Sequence, residues 1–181
     1  MQSLVLGLTF FRILAAPFIF ISSIFLENYW IAFWLFNLAA LTDYFDGKLA
    51  RKFNVESRLG AILDPIGDKL LVLFAIIAVM LFTHDTYVAL MGAFILAREF
   101  WVSALREYSS ANNISNTTKV NFVAKVKTTF QFIAISMFFL GPATDLALVT
   151  FLASFVLLIA VLLSFKSAID YTHNIFFKYN K

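Results

Sequence analysis

Four aspartates and several small residues fall at helical spacing within a short segment of the 181-residue chain. On a helix, positions three or four residues apart lie on the same face. This rule places one group on a single stripe: Asp43, Asp46, Gly47 and Ala50. A second group, at intervals of four, forms another stripe: Gly60, Asp64 and Asp68. If the two stripes face each other, four carboxylates converge on one spot.

The free-energy cost of gathering four carboxylates must be offset, because long apolar runs flank these residues on both sides. A charged side chain in a membrane helix costs about 2.5–3.5 kcal/mol, so four would cost on the order of 10 kcal/mol. Water or cations must therefore reach the aspartates. Crowded carboxylate oxygens suit Mg²⁺, Mn²⁺ or Ca²⁺, and they do not suit Zn²⁺ or copper. The small residues leave room for a bulky ligand and Arg51 offers a fork for phosphate, which together favour a diphosphate with a divalent metal.

The spacing D-x-x-D-G-x-x-A-R-x8-G-x3-D-x3-D resembles the signature of the CDP-alcohol phosphotransferases, integral membrane enzymes of phospholipid synthesis. The alternative interpretation is that these residues are helix-end charges and packing glycines. The resemblance implies a pair of Mg²⁺ or Mn²⁺ ions bound by Asp43, Asp46, Asp64 and Asp68. It implies that Asp68 is also the general base for the acceptor hydroxyl. It further implies a binding site for cytidine diphosphate formed by Asp43, Gly47, Ala50, Arg51 and Gly60.

The composition indicates a bilayer environment. Hydrophobic residues make up 61% of the chain and charged residues only 14%, whereas soluble domains carry about 25% charged residues. The mean hydropathy is +0.86. The chain has no cysteine, which excludes disulfides and thiol chemistry.

Six segments are long and apolar enough to span a membrane, for which about 20 residues are needed. They are residues 4–26, 29–50, 59–82, 86–108, 121–140 and 145–167. The sequence therefore predicts an all-α fold, a polytopic integral membrane bundle of six transmembrane helices in a single domain over residues 1–181. Pro65 is expected to kink the third helix, because proline removes a backbone donor.

The basic residues lie at one end of this predicted bundle. The short connectors at residues 27–28, 83–85 and 141–144 contain neither Lys nor Arg, so all fourteen basic residues lie elsewhere. The positive-inside rule then places both termini and the aspartates on the cytoplasmic side of the membrane. The tail, residues 171–181, mixes aromatic and basic side chains and is expected to anchor at the inner leaflet.

Two arginines lie inside apolar runs, where a cation without an anionic partner is expensive. Arg12 either snorkels to the lipid headgroups or faces the bundle and helps to hold a phosphate. Arg98 pairs either with an internal acid, such as Glu99 or one of the aspartates, or with a substrate phosphate.

Further blocks of sequence are similar to one branch of the family, the bacterial phosphatidylglycerophosphate synthases. The blocks are L-T-x-x-R from residue 8, R-E-x3-S-A-L-R-E from residue 98 and K-V-K-T-T-x-Q from residue 125. Such enzymes transfer a phosphatidyl group from CDP-diacylglycerol to sn-glycerol 3-phosphate and release CMP. A phosphate-bearing acceptor needs cations away from the metals, and the candidates are Arg98, Arg106, Lys125 and Arg12. Lys125 and Lys127 also oppose the dipole of their helix, so an anion is expected nearby, either lipid or substrate.

Several alternatives stay open. The acceptor is serine, inositol phosphate or phosphatidylglycerol in other branches, and inositol phosphate would also need a basic pocket. A cation transporter also uses intramembrane aspartates, although it would typically distribute them along a path through the bilayer. The sequence does not decide between a monomer and a homodimer, and no nucleic acid partner is expected.

Overall fold

The computed structural model describes residues 2–53, 58–112 and 122–177, and every regular element in these ranges is an α-helix. The side chains of residues 2–5, 43–53, 58, 61, 122–125 and 177 lie outside the description. In chain order the helices are α1 (Gln2–Ile24), α2 (Tyr29–Phe53), α3 (Arg58–Thr83), α4 (Thr86–Ala111), α5 (Phe122–Ala143) and α6 (Ala147–Phe177). Their bounds follow the six predicted segments closely, except at the end of α6.

Five of the described helices are long and apolar enough to cross a membrane. In α2 the residues with described side chains form a shorter apolar segment, Tyr29–Thr42. The predicted all-α membrane bundle is confirmed. Helix α3 continues through Pro65, which lies in its second turn.

Each of the three short connectors contains a residue in the left-handed conformation. These residues are Glu27, His84 and Asp145, with φ of 50°, 49° and 54°. A left-handed residue after a helix end reverses the chain at once, which joins consecutive helices as antiparallel neighbours. Asp85 then caps α4, since its side chain accepts a hydrogen bond from the backbone N–H of Tyr87 at 2.8 Å.

Two glycines allow helices to approach closely. A side chain at Gly141 would clash with Thr150, so the end of α5 lies directly against the start of α6. A Cβ at Gly92 of α4 would lie 2.9 Å from Met80 Sδ of α3. Away from these contacts, α1 packs against α2 and α3, and α4 packs against α3 and α6. This arrangement forms two groups of contacts. One group joins α1 and α3, and the other joins α4, α5 and α6.

The end of α6 corrects one prediction. The sequence analysis ended this helix at residue 167 and assigned residues 171–181 to an interfacial anchor, whereas the helix continues to Phe177. Ala168, Tyr171 and Ile175 are buried with Val102 and Leu105 of α4. Their spacing of three and four residues forms an apolar stripe, and no Gly or Pro interrupts the chain between residues 143 and 177. Residues 171–177 are therefore the last turns of α6 and pack partly against α4, whereas their anchoring at the inner leaflet stays a prediction.

Candidate active site

Two of the signature aspartates lie near the start of α3, where side chains of α1 contact both. Arg12 donates from Nη1 to Oδ1 of Asp68 at 2.8 Å and from Nη2 to Oδ1 of Asp64 at 3.1 Å. The hydroxyl of Thr9 donates to the same oxygen of Asp64 at 2.6 Å. Because Asp64 and Asp68 are four residues apart, one guanidinium spans both carboxylates.

A small residue on α3, Gly67, lies at this contact. A Cβ at Gly67 would lie 3.5 Å from Ile13 Cγ1, 3.7 Å from Arg12 Cβ and 3.8 Å from the carbonyl oxygen of Thr9. These are ordinary van der Waals distances, so there is space for a methyl group at most. The backbone of α1 thus lies near enough to α3 for the short side chain of Thr9 to reach a carboxylate.

The cluster of Arg12, Thr9, Asp64 and Asp68 is buried on one side and open on the other. The Arg12 side chain is 0% exposed, whereas the side chains of Asp64 and Asp68 are 38% and 46% exposed. Arg12 therefore faces the bundle, and the snorkelling interpretation does not hold. These two carboxylates and one guanidinium carry an excess negative charge among the described side chains, which favours a cation on the accessible side.

The donor set fits a hard divalent cation as far as it is described. Both contacts that reach Asp64 end on Oδ1, and within the described part of the chain Oδ2 accepts no hydrogen bond. Gly60, one turn earlier, is buried. No group of three acidic, His or Cys side chains gathers among the residues searched, which exclude the first stripe. Carboxylate oxygens remain the ligands that Mg²⁺ and Mn²⁺ prefer.

The first stripe is described only as backbone. Helix α2 continues to Phe53, so it is helical over Asp43, Asp46, Gly47, Ala50 and Arg51. Their side chains lie outside the described residues, as does that of Lys125. Convergence of four carboxylates therefore stays a prediction.

A second charged cluster joins α4, α5 and α6. The buried Arg98 donates from Nε to the carbonyl of Ser164 at 3.1 Å, from Nη2 to Ser167 Oγ at 3.0 Å and from Nη1 to Glu99 at 3.2 Å. Lys127, also buried, donates to the same Oε1 of Glu99. Of the two partners considered for Arg98, the structure shows the internal acid Glu99. Two cations share one carboxylate, which leaves one positive charge in excess.

Arg106 lies two turns further along α4 and is exposed. Its Nη2 donates to the hydroxyl of Tyr171 at 3.4 Å, and its guanidinium carbon lies 5.5 Å from the centre of that ring. The three predicted acceptor-binding cations with described side chains are thus divided. Arg12 belongs to the acidic cluster, whereas Arg98 and Arg106 contact α6.

Comparison of the sequence with known proteins shows the family. A sequence profile of CDP-alcohol phosphatidyltransferases matches residues 5–166. The chain belongs to the CDP-alcohol phosphatidyltransferase family. Relatives from Salmonella typhimurium (strain LT2) and Escherichia coli (strain K12) are 39% and 40% identical over 138 residues, which is 75% of this chain and of each relative. Both are named CDP-diacylglycerol--glycerol-3-phosphate 3-phosphatidyltransferase.

For this CDP-alcohol phosphatidyltransferase, sequence reasoning missed the contacts of Thr9, Ser164 and Ser167. Thr9 lies one turn before Arg12 on the same face of the helix, so the sequence could have predicted that the two side chains contact the same partner. The two serines carried no signal, because small polar residues are ordinary in membrane helices. Lys127 was recognised only as a helix-start cation that needs an anion, and that anion is Glu99.

Proposed function

We propose that this protein transfers the phosphatidyl group of CDP-diacylglycerol to sn-glycerol 3-phosphate, with a divalent metal. The acceptor hydroxyl forms a bond to the lipid phosphorus, the bond from that phosphorus to CMP breaks, and the hydroxyl proton passes to a base. The products are phosphatidylglycerophosphate and CMP. The observation that carries the proposal is the pair Asp64 and Asp68, side by side and partly exposed on α3, in a chain whose relatives bear the name of this reaction.

The acidic residues would hold the metal, and the family uses divalent metals generally. We assign Asp43, Asp46, Asp64 and Asp68 as ligands of Mg²⁺ or Mn²⁺. A divalent ion held by these carboxylates would supply positive charge against the diphosphate. Asp68 takes the acceptor proton, and its exposed fraction of 46% makes it reachable. The cytidine diphosphate is assigned to Asp43, Gly47, Ala50, Arg51 and Gly60.

The cluster of α4, α5 and α6 supports a phosphate-bearing acceptor over an uncharged alcohol. Arg98 and Lys127 exceed Glu99 by one positive charge, and an excess charge inside a membrane bundle favours a nearby anion. Arg106 is exposed, so it is the candidate for direct contact with the acceptor phosphate, together with Lys125. Arg98 bonds to Glu99, Ser164 and Ser167, so we assign its contribution to electrostatic attraction.

The acceptor assay tests the reaction. Purified protein with CDP-diacylglycerol and Mg²⁺ or Mn²⁺ should release CMP when glycerol 3-phosphate is added. Serine, inositol phosphate and phosphatidylglycerol should not substitute. Release of CMP only with one of those acceptors would reassign the substrate.

Substitutions test the site. Asp64→Asn and Asp68→Asn should each abolish turnover, whereas Asp145→Asn, in the connector at the other end of the bundle, should leave turnover unchanged. Normal turnover in either α3 variant would refute the assignment. Arg106→Ala should raise the KM for glycerol 3-phosphate more than the KM for CDP-diacylglycerol, and an equal rise in both would argue against an acceptor role.

The topology is also a proposal: a bacterial inner membrane with both termini and the acidic cluster in the cytoplasm. The chain has no cysteine, so single cysteines at Asn28 and at Ser110 can report their side by labelling with an impermeant maleimide in intact cells. Only the residue at position 28 should be labelled, and the reverse result would invert the topology. Assembly as a homodimer stays a prediction that the mass of the purified protein in detergent can check.

A further inference from the structure

The contacts of Arg12 are those of a buried structural residue, whereas a side chain that binds substrate would be accessible. Its side chain is 0% exposed, and both terminal nitrogens donate to signature aspartates, at 2.8 Å to Asp68 and 3.1 Å to Asp64. Each of these nitrogens keeps a second N–H, but the side chain has no accessible surface on which a phosphate could bind. Thr9 lies on the same face of α1, is fully buried and donates to Asp64 at 2.6 Å.

We infer that Arg12 and Thr9 are positioning residues that fix the rotamers of Asp64 and Asp68 for metal binding, and that Arg12 does not bind the acceptor phosphate. This inference rests on the proposed function, because it assigns the two aspartates to the metal.

The geometry explains how the positioning works. Arg12 presents a planar fork whose two ends reach two carboxylates one helical turn apart, so rotation of either aspartate breaks a charge-assisted bond. Thr9 adds a second bond to Oδ1 of Asp64, so two donors on α1 fix the same carboxylate oxygen. Partners of metal ligands that act in this way typically change metal affinity by about 10- to 100-fold when they are removed.

Two substitutions isolate orientation from charge. Arg12→Lys keeps the positive charge but loses the fork, and Thr9→Val keeps the shape of the side chain but loses the hydroxyl. Neither changes the net charge near the aspartates, so a change in metal affinity reports geometry. Thr9→Ser, which keeps the hydroxyl, is the matched control.

The measurement is Mn²⁺ binding to the purified proteins, followed by the electron paramagnetic resonance signal of the free ion, together with steady-state kinetics. Arg12→Lys and Thr9→Val should both weaken Mn²⁺ binding about tenfold or more. Both should lower kcat, with the KM for glycerol 3-phosphate unchanged within about twofold. Thr9→Ser should retain wild-type affinity.

Two results would overturn the inference. One is unchanged Mn²⁺ affinity in both variants. The other is a rise in the KM for glycerol 3-phosphate in Arg12→Lys but not in Thr9→Val, which would return Arg12 to the acceptor site. Failure of the proposed function is distinct, because it would be seen in the wild-type protein as no release of CMP with glycerol 3-phosphate.

Discussion

The loss of Glu99 should destabilise the protein strongly. Its carboxylate accepts bonds from Arg98 and Lys127, whose side chains are only 4% and 6% exposed. Glu99→Gln removes the negative charge and leaves two cations buried side by side. Removing one partner of a buried ion pair typically costs about 3–5 kcal/mol. Since about 1.36 kcal/mol is a factor of ten, the ratio of folded to unfolded protein should fall by a hundredfold or more.

Lys127→Met is the informative comparison. It removes the excess cation but leaves Arg98 paired with Glu99, so the remaining buried charges balance. The loss in the free energy of unfolding should be at most about half of that for Glu99→Gln. Glu107→Gln, an exposed position on the same helix, serves as control and should change stability by less than about 0.5 kcal/mol.

Equilibrium unfolding in mixed micelles, followed by circular dichroism, gives the three free energies. The expected order of destabilisation is Glu99→Gln, then Lys127→Met, then Glu107→Gln. If Lys127→Met were the more damaging of the two cluster variants, or if Glu99→Gln were as stable as the wild type, the role assigned to the shared carboxylate would be refuted.

Three further outcomes are expected. Gly141→Ala should destabilise the protein by about 1–3 kcal/mol, because the added methyl group overlaps Thr150; an unchanged melting temperature would contradict the close approach of α5 and α6. Glu27→Gly should stabilise it by up to about 1 kcal/mol in thermal unfolding, because glycine adopts the left-handed conformation without strain, and a loss of stability would contradict this reason. A chelator should abolish release of CMP, and added Mg²⁺ or Mn²⁺ should restore it; full activity in the chelator would exclude a divalent metal.

The helices were predictable because apolar runs of about 20 residues and polar connectors are local signals. The end of α6 was harder to predict, because Tyr171 and Ile175 suit a lipid interface and a helix contact equally well. Their contact with α4 depends on residues about 70 positions earlier in the chain.

The site shows the same limit. The spacing of Asp64 and Asp68 on one stripe was readable from the helical repeat. The bonds of Arg12 to these aspartates could not be predicted from the sequence. The aspartates lie more than 50 residues away, and the contact depends on how closely α1 approaches Gly67. For Arg98, the adjacent Glu99 was among the partners considered, but the contribution of Ser164 and Ser167 required the packing of α6.

The length of α6 has a consequence for how a water-soluble reactant reaches the protein. At 1.5 Å per residue its 31 residues extend about 46 Å, whereas the hydrocarbon layer is about 30 Å thick. The last turns, which carry Tyr171 beneath Arg106, can therefore stand among the lipid phosphates and the adjoining water. A dissolved anion could then reach the guanidinium of Arg106 at the end of the bundle without crossing the hydrocarbon layer.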